Sequence, residues 1–245
     1  MKVMSYNTQH CLVHVDENGK AKNYFDKKID YTAFIKAIKE SGADFIGLQE
    51  ICDATEKSNA EQYYPQTKTL AEGAGYKYYY FAEAIRFSSI NPYGNAILSK
   101  IPILDVQTIS IPDPVEKKYD GYYETRCICK AKLENGYTIM VAHFGLNPDE
   151  QENAVKTIVE NLEEKCIVMG DFNMHPNNPI LKPLLDKLFD TATLVVGDNS
   201  TFPSDNPKEK IDYILTTKDV KVESAEIPQV VVSDHLPHLA IIKDC

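Results

Sequence analysis

The chain has 245 residues, of which 43% are hydrophobic, and its formal net charge is −10 at pH 7. This length and apolar content are typical of one large domain with a substantial core, so we predict a single domain over residues 1–245. The acidic balance argues against broad, sequence-independent binding to nucleic acid, because such binding requires many phosphates to be neutralised. An excess of carboxylates also suits a protein that holds divalent cations, although on charge alone a solvated surface is the better explanation.

The sequence contains no run of about 20 apolar residues, which a membrane-spanning helix would need, and no signal-peptide pattern at its amino terminus. Its six cysteines are scattered and include no Cys-x-x-Cys pair. This pattern favours reduced, mostly buried thiols and therefore a cytoplasmic protein. Secretion is the alternative, since a cleaved signal peptide would be absent from the chain. We expect the protein to be a monomer.

The first predicted elements alternate between buried strands and an amphipathic helix. Residues 2–6 are predicted to form a strand, and Asn7 follows it directly. Apolar residues then recur at helical spacing, which predicts a helix over residues 30–42. The apolar run 45–48 predicts another strand, and this strand delivers a carboxylate, Glu50, at its end.

The middle of the chain is predicted to be mainly strand. Polar residues 53–62 are expected to form a loop before a helix at 67–74. Three strands are then predicted from their aromatic or apolar content, and a tight connection joins the last two. A stretch rich in proline and charge follows and is predicted to be a mobile surface loop. These segments are the strands 76–85, 93–100 and 102–111 and the loop 112–121.

An Asn-Gly pair predicts a β-hairpin in the second half of the chain. It lies in Glu134-Asn135-Gly136, between the strand patterns 126–133 and 137–143, and the second strand leads to His143. Farther on, Asn147 supplies a helix N-cap, a proline occupies the first turn, and Glu150 completes a capping box. A helix is therefore predicted to begin after Asn147.

The run 166–173 predicts a strand that is buried on both faces and ends in the polar residues Asp171 and Asn173. Open α/β sheets place their chemistry at the carboxyl ends of such strands, so these two residues are candidates for a functional site. Beyond them we predict a short helix at 180–188, a loop at 197–210, and strands at 211–215, 220–227 and 239–243.

Eight polar residues lie at or beside predicted strand ends. Each of them alone is explained by a turn, a cap or a solvated side chain. Together they offer oxygen ligands for a hard cation such as Mg²⁺ and two histidines that can change protonation near neutral pH. They are Asn7, Glu50, His143, Asp171, Asn173, Asp212, Asp234 and His235. Predicted strands outnumber helices, which favours two packed sheets over one doubly wound sheet.

Short motifs around these residues resemble, in order and spacing, those of the endonuclease/exonuclease/phosphatase superfamily of deoxyribonuclease-I-like metal-dependent phosphohydrolases. The resemblance implies a four-layer α/β sandwich, in which two mixed, mainly antiparallel sheets lie face to face with helices outside. It also implies Mg²⁺- or Mn²⁺-dependent hydrolysis of phosphoesters. The motifs span nearly the whole chain: Tyr6-Asn7, Leu48-Gln49-Glu50, Tyr93-Gly94-Asn95-Ala96-Ile97-Leu98-Ser99, Glu124-Thr125-Arg126, Ala142-His143-Phe144-Gly145-Leu146, Gly170-Asp171-Phe172-Asn173, Ile211-Asp212-Tyr213 and Ser233-Asp234-His235-Leu236-Pro237.

The resemblance further implies a metal site and a group that activates water. Glu50 would be the main ligand of the cation, with Asn7 and Asp234 nearby. Asp171 would orient or deprotonate the attacking water, and Asn173 would position that water. These residue types suit the chemistry, because a carboxylate can accept a proton and oxygen ligands hold hard cations.

Other residues would bind the substrate's phosphate. By the same resemblance, His235 would be steered by Asp212 and would serve as a base or as a phosphate ligand. His143 would bind a non-bridging oxygen or protonate the leaving group, and Arg126 would contact phosphate. A positive group at this place stabilises charge that develops on phosphate oxygens.

The sequence leaves the partner of one histidine and the substrate open. Some nucleases of the superfamily pair the histidine equivalent to His143 with an acid, and here Glu83, Glu124 or no acid takes that place. The expected substrate is a small phosphoester or a phospholipid headgroup; a nuclease acting on DNA or RNA is the alternative. A catalytically inactive binding scaffold is a further alternative, although no motif acid is lost.

Abasic DNA is not expected to be the substrate. Members of the superfamily that act on abasic DNA resemble one another in an aromatic pair, often with tryptophan, before the Asp-Tyr strand. A flipped-out nucleotide needs such an apolar enclosure, because its extrusion costs stacking energy. Residues 201–210 contain only Phe202 as an aromatic, and the chain has no tryptophan. We therefore predict that the protein is not a dedicated abasic-site endonuclease.

Overall fold

Two six-stranded sheets form the body of the protein in the computed structural model, which describes residues 1–54, 65–87 and 91–243. The strands are β1 Lys2–Asn7, β2 Phe45–Cys52, β3 Tyr78–Arg86, β4 Pro92–Ser99, β5 Ile103–Ser110, β6 Cys127–Leu133, β7 Thr138–His143, β8 Cys166–Asp171, β9 Leu188–Asp190, β10 Asp212–Thr217, β11 Val222–Glu226 and β12 His238–Ile242. The α-helices are α1 Tyr31–Ser41, α2 Gln66–Ala74, α3 Pro148–Glu160 and α4 Lys182–Leu185, and short 3₁₀ turns lie at Gln9–Cys11, Tyr24–Asp26, Pro179–Leu181 and Thr191–Leu194.

Both sheets are mixed and mainly antiparallel, as predicted. The first has the order β11-β12-β1-β2-β4-β3, and the second has the order β5-β6-β7-β8-β10-β9. Among the strands that the structure describes, β1 with β2 and β7 with β8 are the parallel pairs. These pairs matter for function, because the carboxyl ends of β1, β7 and β8 carry predicted site residues.

The two sheets pack face to face, and the helices cover their outer faces. Alternate residues of a strand point to opposite faces, so neighbours in the sequence belong to different layers. Val3 of β1 and Val141 of β7 belong to the apolar cluster between the sheets. Met4 packs in the cluster that includes α1 and α2, and Met140 packs in the cluster that includes α3. This arrangement confirms the predicted four-layer sandwich.

A glycine allows the sheets to approach closely near the functional end. A Cβ atom on Gly47 of β2 would lie 2.7 Å from Val141 Cγ2 and 2.8 Å from Met169 Sδ, both on the opposite sheet. These separations are far shorter than van der Waals contact, so any larger residue would force the sheets apart. The two sheets are therefore closely packed at Gly47, on the strand that carries Glu50.

The predicted helix starts and the hairpin are confirmed. Asp30 caps α1 by accepting hydrogen bonds from the backbone N–H groups of Thr32 and Ala33, at 2.9 and 3.2 Å. Glu150 accepts from the backbone N–H of Asn147 at 3.2 Å, as a capping box requires. The β6–β7 turn differs in detail from the expected Asn-Gly turn. Of its residues, Gly136 has a positive φ, 86°, which is typical of a three-residue loop ending in a left-handed glycine.

Several predicted boundaries are wrong for physical reasons. The helix expected at 180–188 is a 3₁₀ turn, then the one-turn helix α4, then β9, because Pro183 lacks the backbone N–H that would continue the first turn into α4. The strands predicted at 93–100 and 102–111 exist, but their tight connection crosses from one sheet to the other. Most of the loop predicted at 53–62 lies outside the described residues. The stretch 112–121 has no regular secondary structure.

The cysteines of the described chain agree with the prediction of reduced thiols. Cys11, Cys52, Cys127, Cys129 and Cys166 are all free and buried. Burial raises the pKa of these thiols, for example to about 11 for Cys52, so they stay uncharged at neutral pH. In the described part of the chain, no helix is both long and apolar enough to cross a membrane.

Candidate active site

The predicted site residues come together at one end of the sandwich, where the two sheets meet. Asn7 ends β1, and its side-chain Nδ2 donates to Asp171 Oδ2 at the end of β8, at 3.0 Å. This hydrogen bond links the first sheet to the second. His143 and Asp212 are the register partners of Asp171 on the two strands beside it. His235 lies in the irregular stretch just before β12.

Glu50 reaches this site from inside β2, and not from the end of the strand as predicted. Its backbone is left-handed, with φ 56°, at an irregularity in the β2–β4 pairing between Leu48 and Ile51. The bulge aims the side chain at Asn7, whose Nδ2 donates to Glu50 Oε1 at 3.0 Å. The Glu50 side chain is 22% exposed, whereas Asn7 is fully buried. Bulges commonly re-aim a side chain next to an active site.

One oxygen of Asp171 is the focus of the site. Its Oδ2 accepts from Asn7 and lies 3.6 Å from both His143 Nε2 and His235 Nε2. Its Oδ1 accepts from the backbone N–H of Asn173 at 2.9 Å. Burial raises the pKa of Asp171, and nearby Asp212 raises it further, while His235 lowers it. The net shift is upward, so this carboxylate can accept a proton more readily than an ordinary aspartate.

His235 lies between two carboxylates. Its Nδ1 is 2.8 Å from Asp212 Oδ2, which also accepts the Thr201 hydroxyl at 2.5 Å. Burial lowers the pKa of His235, but Asp212 and Asp171 raise it more, so the ring is held in its charged form. A charged imidazole has no free lone pair with which to accept a proton. His235 is therefore suited to stabilising negative charge and not to acting as a base.

His143 has an arginine, and not an acid, beside it. Arg126 Nη1 lies 2.9 Å from His143 Nδ1, and the same Nη1 is 2.8 Å from Glu124 Oε1. A guanidinium can only donate, so His143 Nδ1 accepts from Arg126, and the other ring nitrogen, Nε2, lies 3.1 Å from Asn173 Nδ2. Burial lowers the pKa of His143, and Arg126 lowers it further, so the ring is neutral. Of the two predicted acids, Glu124 reaches the histidine through Arg126, and Glu83 pairs with Arg86 instead.

Glu50 and Asp234 form an acidic pair that suits a hard cation. Asp234 is 9% exposed; burial raises its pKa, and the negative charge of Glu50 raises it further. Two carboxylates that repel each other at a partly buried site gain free energy when a divalent cation binds beside them. As oriented here, the third predicted ligand, Asn7, has its Oδ1 bonded to the Gln9 backbone N–H at 3.0 Å. Its amide N–H groups hold Glu50 and Asp171 in place.

A second group of possible ligand atoms is less suitable for a cation. Atoms of Asp171, Asp212 and His235 lie within 4.8 Å of one another. However, Asp212 Oδ2 already takes hydrogen bonds from His235 and Thr201, and all three members of the group are almost fully buried. Hard cations keep several water ligands, so the more exposed Glu50 is the better place.

Three polar residues near Glu50 and Asp234 were not identified from sequence patterns: Gln9, His10 and Lys27. Gln9, His10 and Cys11 all have positive φ, at 44°, 57° and 62°, and this left-handed turn follows Asn7 almost directly. It brings His10 Nε2 to 3.7 Å from Glu50 Oε2 and brings Gln9 Nε2 to Asp234 Oδ2, to which it donates. Lys27 lies in the loop between β1 and α1, and its Nζ is 3.7 Å from Asp234 Oδ2. The only sequence signal was the position of Gln9 and His10 beside a motif residue.

Comparisons with known proteins identify the family of the chain. The family model described as the Endonuclease/Exonuclease/phosphatase family matches residues 4–235. The chain belongs to this family. None of the curated proteins compared with the chain matches it in sequence.

Several solved structures share the whole fold. A family protein from Leptotrichia buccalis is 21% identical, with a TM-score of 0.72. A mannosyl-6-phosphatase from Bacteroides thetaiotaomicron is 15% identical, with a TM-score of 0.74. An AP endonuclease from Archaeoglobus fulgidus is 16% identical, with a TM-score of 0.67. Each comparison covers 100% of both chains. At these identities the likeness establishes the fold of this endonuclease/exonuclease/phosphatase family member, and it leaves the substrate undecided.

Proposed function

We propose that this protein is a Mg²⁺- or Mn²⁺-dependent phosphoester hydrolase that activates water at Asp171. The observation that carries the proposal is the environment of Asp171 Oδ2. A single buried carboxylate oxygen faces Asn7 and both active-site histidines, and Asp171 itself has a raised pKa. General bases are most effective when their pKa is moved toward the working pH in this way.

The residues around Asp171 have separate roles in the proposed reaction. Asp171 takes a proton from the attacking water, and Asn173, which lies on the same strand end, positions that water. His235 keeps its proton and stabilises the negative charge on a phosphate oxygen. His143 is neutral, and its Nε2, which lies beside Asn173 Nδ2, faces a non-bridging oxygen. It is a poor candidate for protonating the leaving group, because a neutral ring N–H is a very weak acid.

Arg126 and Asp212 act mainly through the histidines. Arg126 is 10% exposed at its side chain and is engaged by Glu124, Tyr93 and His143, so it fixes the tautomer of His143 and adds positive potential for phosphate. Asp212 orients the charged ring of His235 by accepting a hydrogen bond from its Nδ1. Such partners determine which ring nitrogen faces the substrate.

Glu50 is the proposed main ligand of the cation, and Asp234 lies beside it. A divalent cation at this place supplies Lewis acidity toward a phosphoryl oxygen and offsets the negative charge of substrate and carboxylates. Asn7 holds Glu50 toward that position through the 3.0 Å hydrogen bond from its Nδ2. The donor set is entirely oxygen on the acidic side, which is the preference of Mg²⁺ and Mn²⁺.

A small phosphoester or a phospholipid headgroup is the proposed substrate. The loop 201–210 is tied by a β-bridge between Phe202 and Glu209, and the Phe202 ring lies 4.8 Å from the His235 ring. This single aromatic offers one wall to a small ligand, whereas an extruded nucleotide needs an enclosing pocket. The net charge of −10 gives little sequence-independent grip on a duplex. The mannosyl-6-phosphatase of similar fold is consistent with a small substrate.

A substrate panel tests the proposal. It contains inositol phosphates, sugar phosphates, nucleotides, sphingomyelin, single-stranded RNA and a duplex with one abasic analogue. Each substrate is assayed with Mg²⁺, with Mn²⁺ and with EDTA, and the matched control is Asp171→Asn. We expect metal-dependent hydrolysis of a small phosphoester that Asp171→Asn reduces by at least about 10². No hydrolysis of any substrate, or equal rates for the variant, would contradict the proposal.

Two arms of the panel address the alternatives directly. Metal-dependent cleavage of RNA without phosphate release from small esters would identify a nuclease instead. Efficient incision of the abasic duplex at physiological salt, with the intact duplex untouched, would show that the prediction against an abasic-site endonuclease is wrong.

A further inference from the structure

A buried lysine ammonium group lies directly behind the acidic pair. Lys27 Nζ is 3.7 Å from Asp234 Oδ2, and the Lys27 side chain is only 5% exposed. The same Nζ donates to Gln9 Oε1, and the amide nitrogen of Gln9 donates to Asp234 Oδ2. Lys27, Gln9 and Asp234 thus form a closed set of charge-assisted contacts next to Glu50.

Two backbone features bring this group into the site. The loop between β1 and α1 folds back on itself, with a β-bridge between Leu12 and Ile29 and a hydrogen bond of 2.9 Å from the Val13 N–H to the Lys28 carbonyl. Gln9 enters through the left-handed turn 9–11. Left-handed non-glycine residues are unfavourable, so three in succession persist only where surrounding contacts compensate for them.

Both carboxylate oxygens of Asp234 already have partners, so they are poorly placed to bind a second divalent cation. Its Oδ1 accepts the Ser233 hydroxyl at 3.2 Å, and its Oδ2 faces Gln9 and Lys27. A divalent cation placed against Oδ2 would meet the lysine ammonium at short range in a poorly screened place, and like charges there repel strongly. Within the described residues, the ion-pair partner of Glu50 is His10, and neither a lysine nor an arginine pairs with it.

We propose that Lys27 is a positioning residue that supplies a fixed positive charge in place of a second metal ion, so that the site binds one divalent cation. The inference rests on the proposed function only in taking Glu50 as the main ligand of the cation. The Lys27 ammonium group offsets negative charge at Asp234, and the single cation is held at Glu50. The alternative, an ion pair that only anchors the loop 12–29, requires no effect on how many cations bind.

Calorimetric titration with Mn²⁺ separates these two roles without using any substrate. We compare wild type with Lys27→Met, which keeps the length of the side chain and removes its charge. Lys27→Arg keeps the charge and should behave like wild type. Lys28→Met is the matched control, because Lys28 is the neighbouring lysine and is exposed. Circular dichroism and thermal unfolding show which variants are folded.

We expect one Mn²⁺ per wild-type chain. Lys27→Met should bind a second Mn²⁺, or bind the first at least about tenfold more tightly, because a repelling charge has been removed. A lysine that only anchors the loop would weaken metal binding or leave it unchanged when replaced. Lys27→Arg and Lys28→Met should keep the wild-type isotherm.

Two Mn²⁺ ions bound to the wild-type chain would overturn the inference, whatever the stability of the variants. One ion bound with equal affinity to wild type and to folded Lys27→Met would also overturn it, while leaving the proposed function intact. Absence of Mn²⁺ binding to the wild type would overturn both. If Lys27→Met fails to fold, two other results test the inference: the number of Mn²⁺ ions bound by the wild type and the isotherm of Lys27→Arg. A Lys27→Arg isotherm unlike that of the wild type would overturn it.

Discussion

Replacing Asp212 by Asn should destabilise the protein by an amount that depends on pH. Asp212 is 1% exposed, and its Oδ2 accepts from His235 Nδ1 at 2.8 Å and from Thr201 at 2.5 Å. Asparagine keeps the shape of the side chain but removes the negative charge that faces the charged ring. The variant must therefore either keep a poorly compensated buried charge or release the proton from His235.

The pKa of His235 sets the size of the effect. Burial lowers this pKa, but Asp212 and Asp171 outweigh burial and raise it to about 10, from 6.5 for an ordinary histidine. At about 1.4 kcal/mol per pH unit, the charged ring contributes at most about 4 kcal/mol to stability at pH 7. Asp171 remains beside the ring in the variant. We therefore expect a loss of about 2–4 kcal/mol in the free energy of unfolding at pH 7.

The sign of the pH dependence follows from the direction of the shift. The folded pKa lies above the unfolded one, so the stabilisation is complete below pH 6.5 and is lost as the pH rises through about 10. The difference between wild type and variant should shrink by up to about 1.4 kcal/mol per pH unit above pH 7. Urea unfolding at about pH 6, 7, 8 and 9 measures this difference, and groups common to both proteins cancel.

The control is a variant that also removes one carboxylate, but from an exposed position. Asp186→Asn removes an exposed carboxylate that pairs with Lys182 at 2.7 Å, and it should cost no more than about 1 kcal/mol at any of these pH values. A loss for Asp212→Asn that is constant from about pH 6 to pH 9 would refute the claim that Asp212 holds a charged His235.

Three further predictions concern the metal, the base and the seam between the sheets. Glu50→Gln should weaken Mg²⁺ binding in titration calorimetry and sharply reduce turnover; an unchanged affinity would exclude Glu50 as the main ligand. Asp171→Asn combined with His235→Ala should be little slower in kcat than the slower single variant, because groups that act on one step are not additive, and multiplicative losses would indicate independent roles. Gly47→Ala should lower the free energy of unfolding by about 1–3 kcal/mol, because its Cβ would overlap Val141; a neutral result in urea unfolding would mean that the sheets separate easily.

The fold and the strand-end positions of most candidate site residues could be predicted because local chemistry and tertiary structure agree there. The strand ends at Asn7, His143 and Asp171 follow apolar runs that are buried on both faces, so their positions are visible in the sequence. The N-caps of α1 and α3 are equally visible, since Asp30 and Asn147 are residue types that satisfy free backbone N–H groups. In these segments each local preference favours the observed structure.

The remaining features depend on contacts between distant segments. The residues around Glu50 do not predict a β-bulge, because the irregularity arises from the pairing of β2 with β4. The placement of Lys27 depends on how the loop 12–29 folds back, and loop paths have no periodic signal. The charge states of His143 and His235 depend on Arg126 and Asp212, which are distant in sequence. Residue type alone could not distinguish a neutral ring from a charged one.

The order of strands in the first sheet also determines when this sheet can be completed during synthesis of the chain. β1 lies between β2 and β12, so one neighbour comes from the same end of the chain and the other from the opposite end. During synthesis on the ribosome, β1 must wait with an open edge until residues 238–242 have been made, and open edges invite pairing with other chains. His235 emerges in the same late stretch. We therefore expect nascent chains to be inactive and prone to aggregation until this strand closes the sheet, so that chaperones have most effect at that stage.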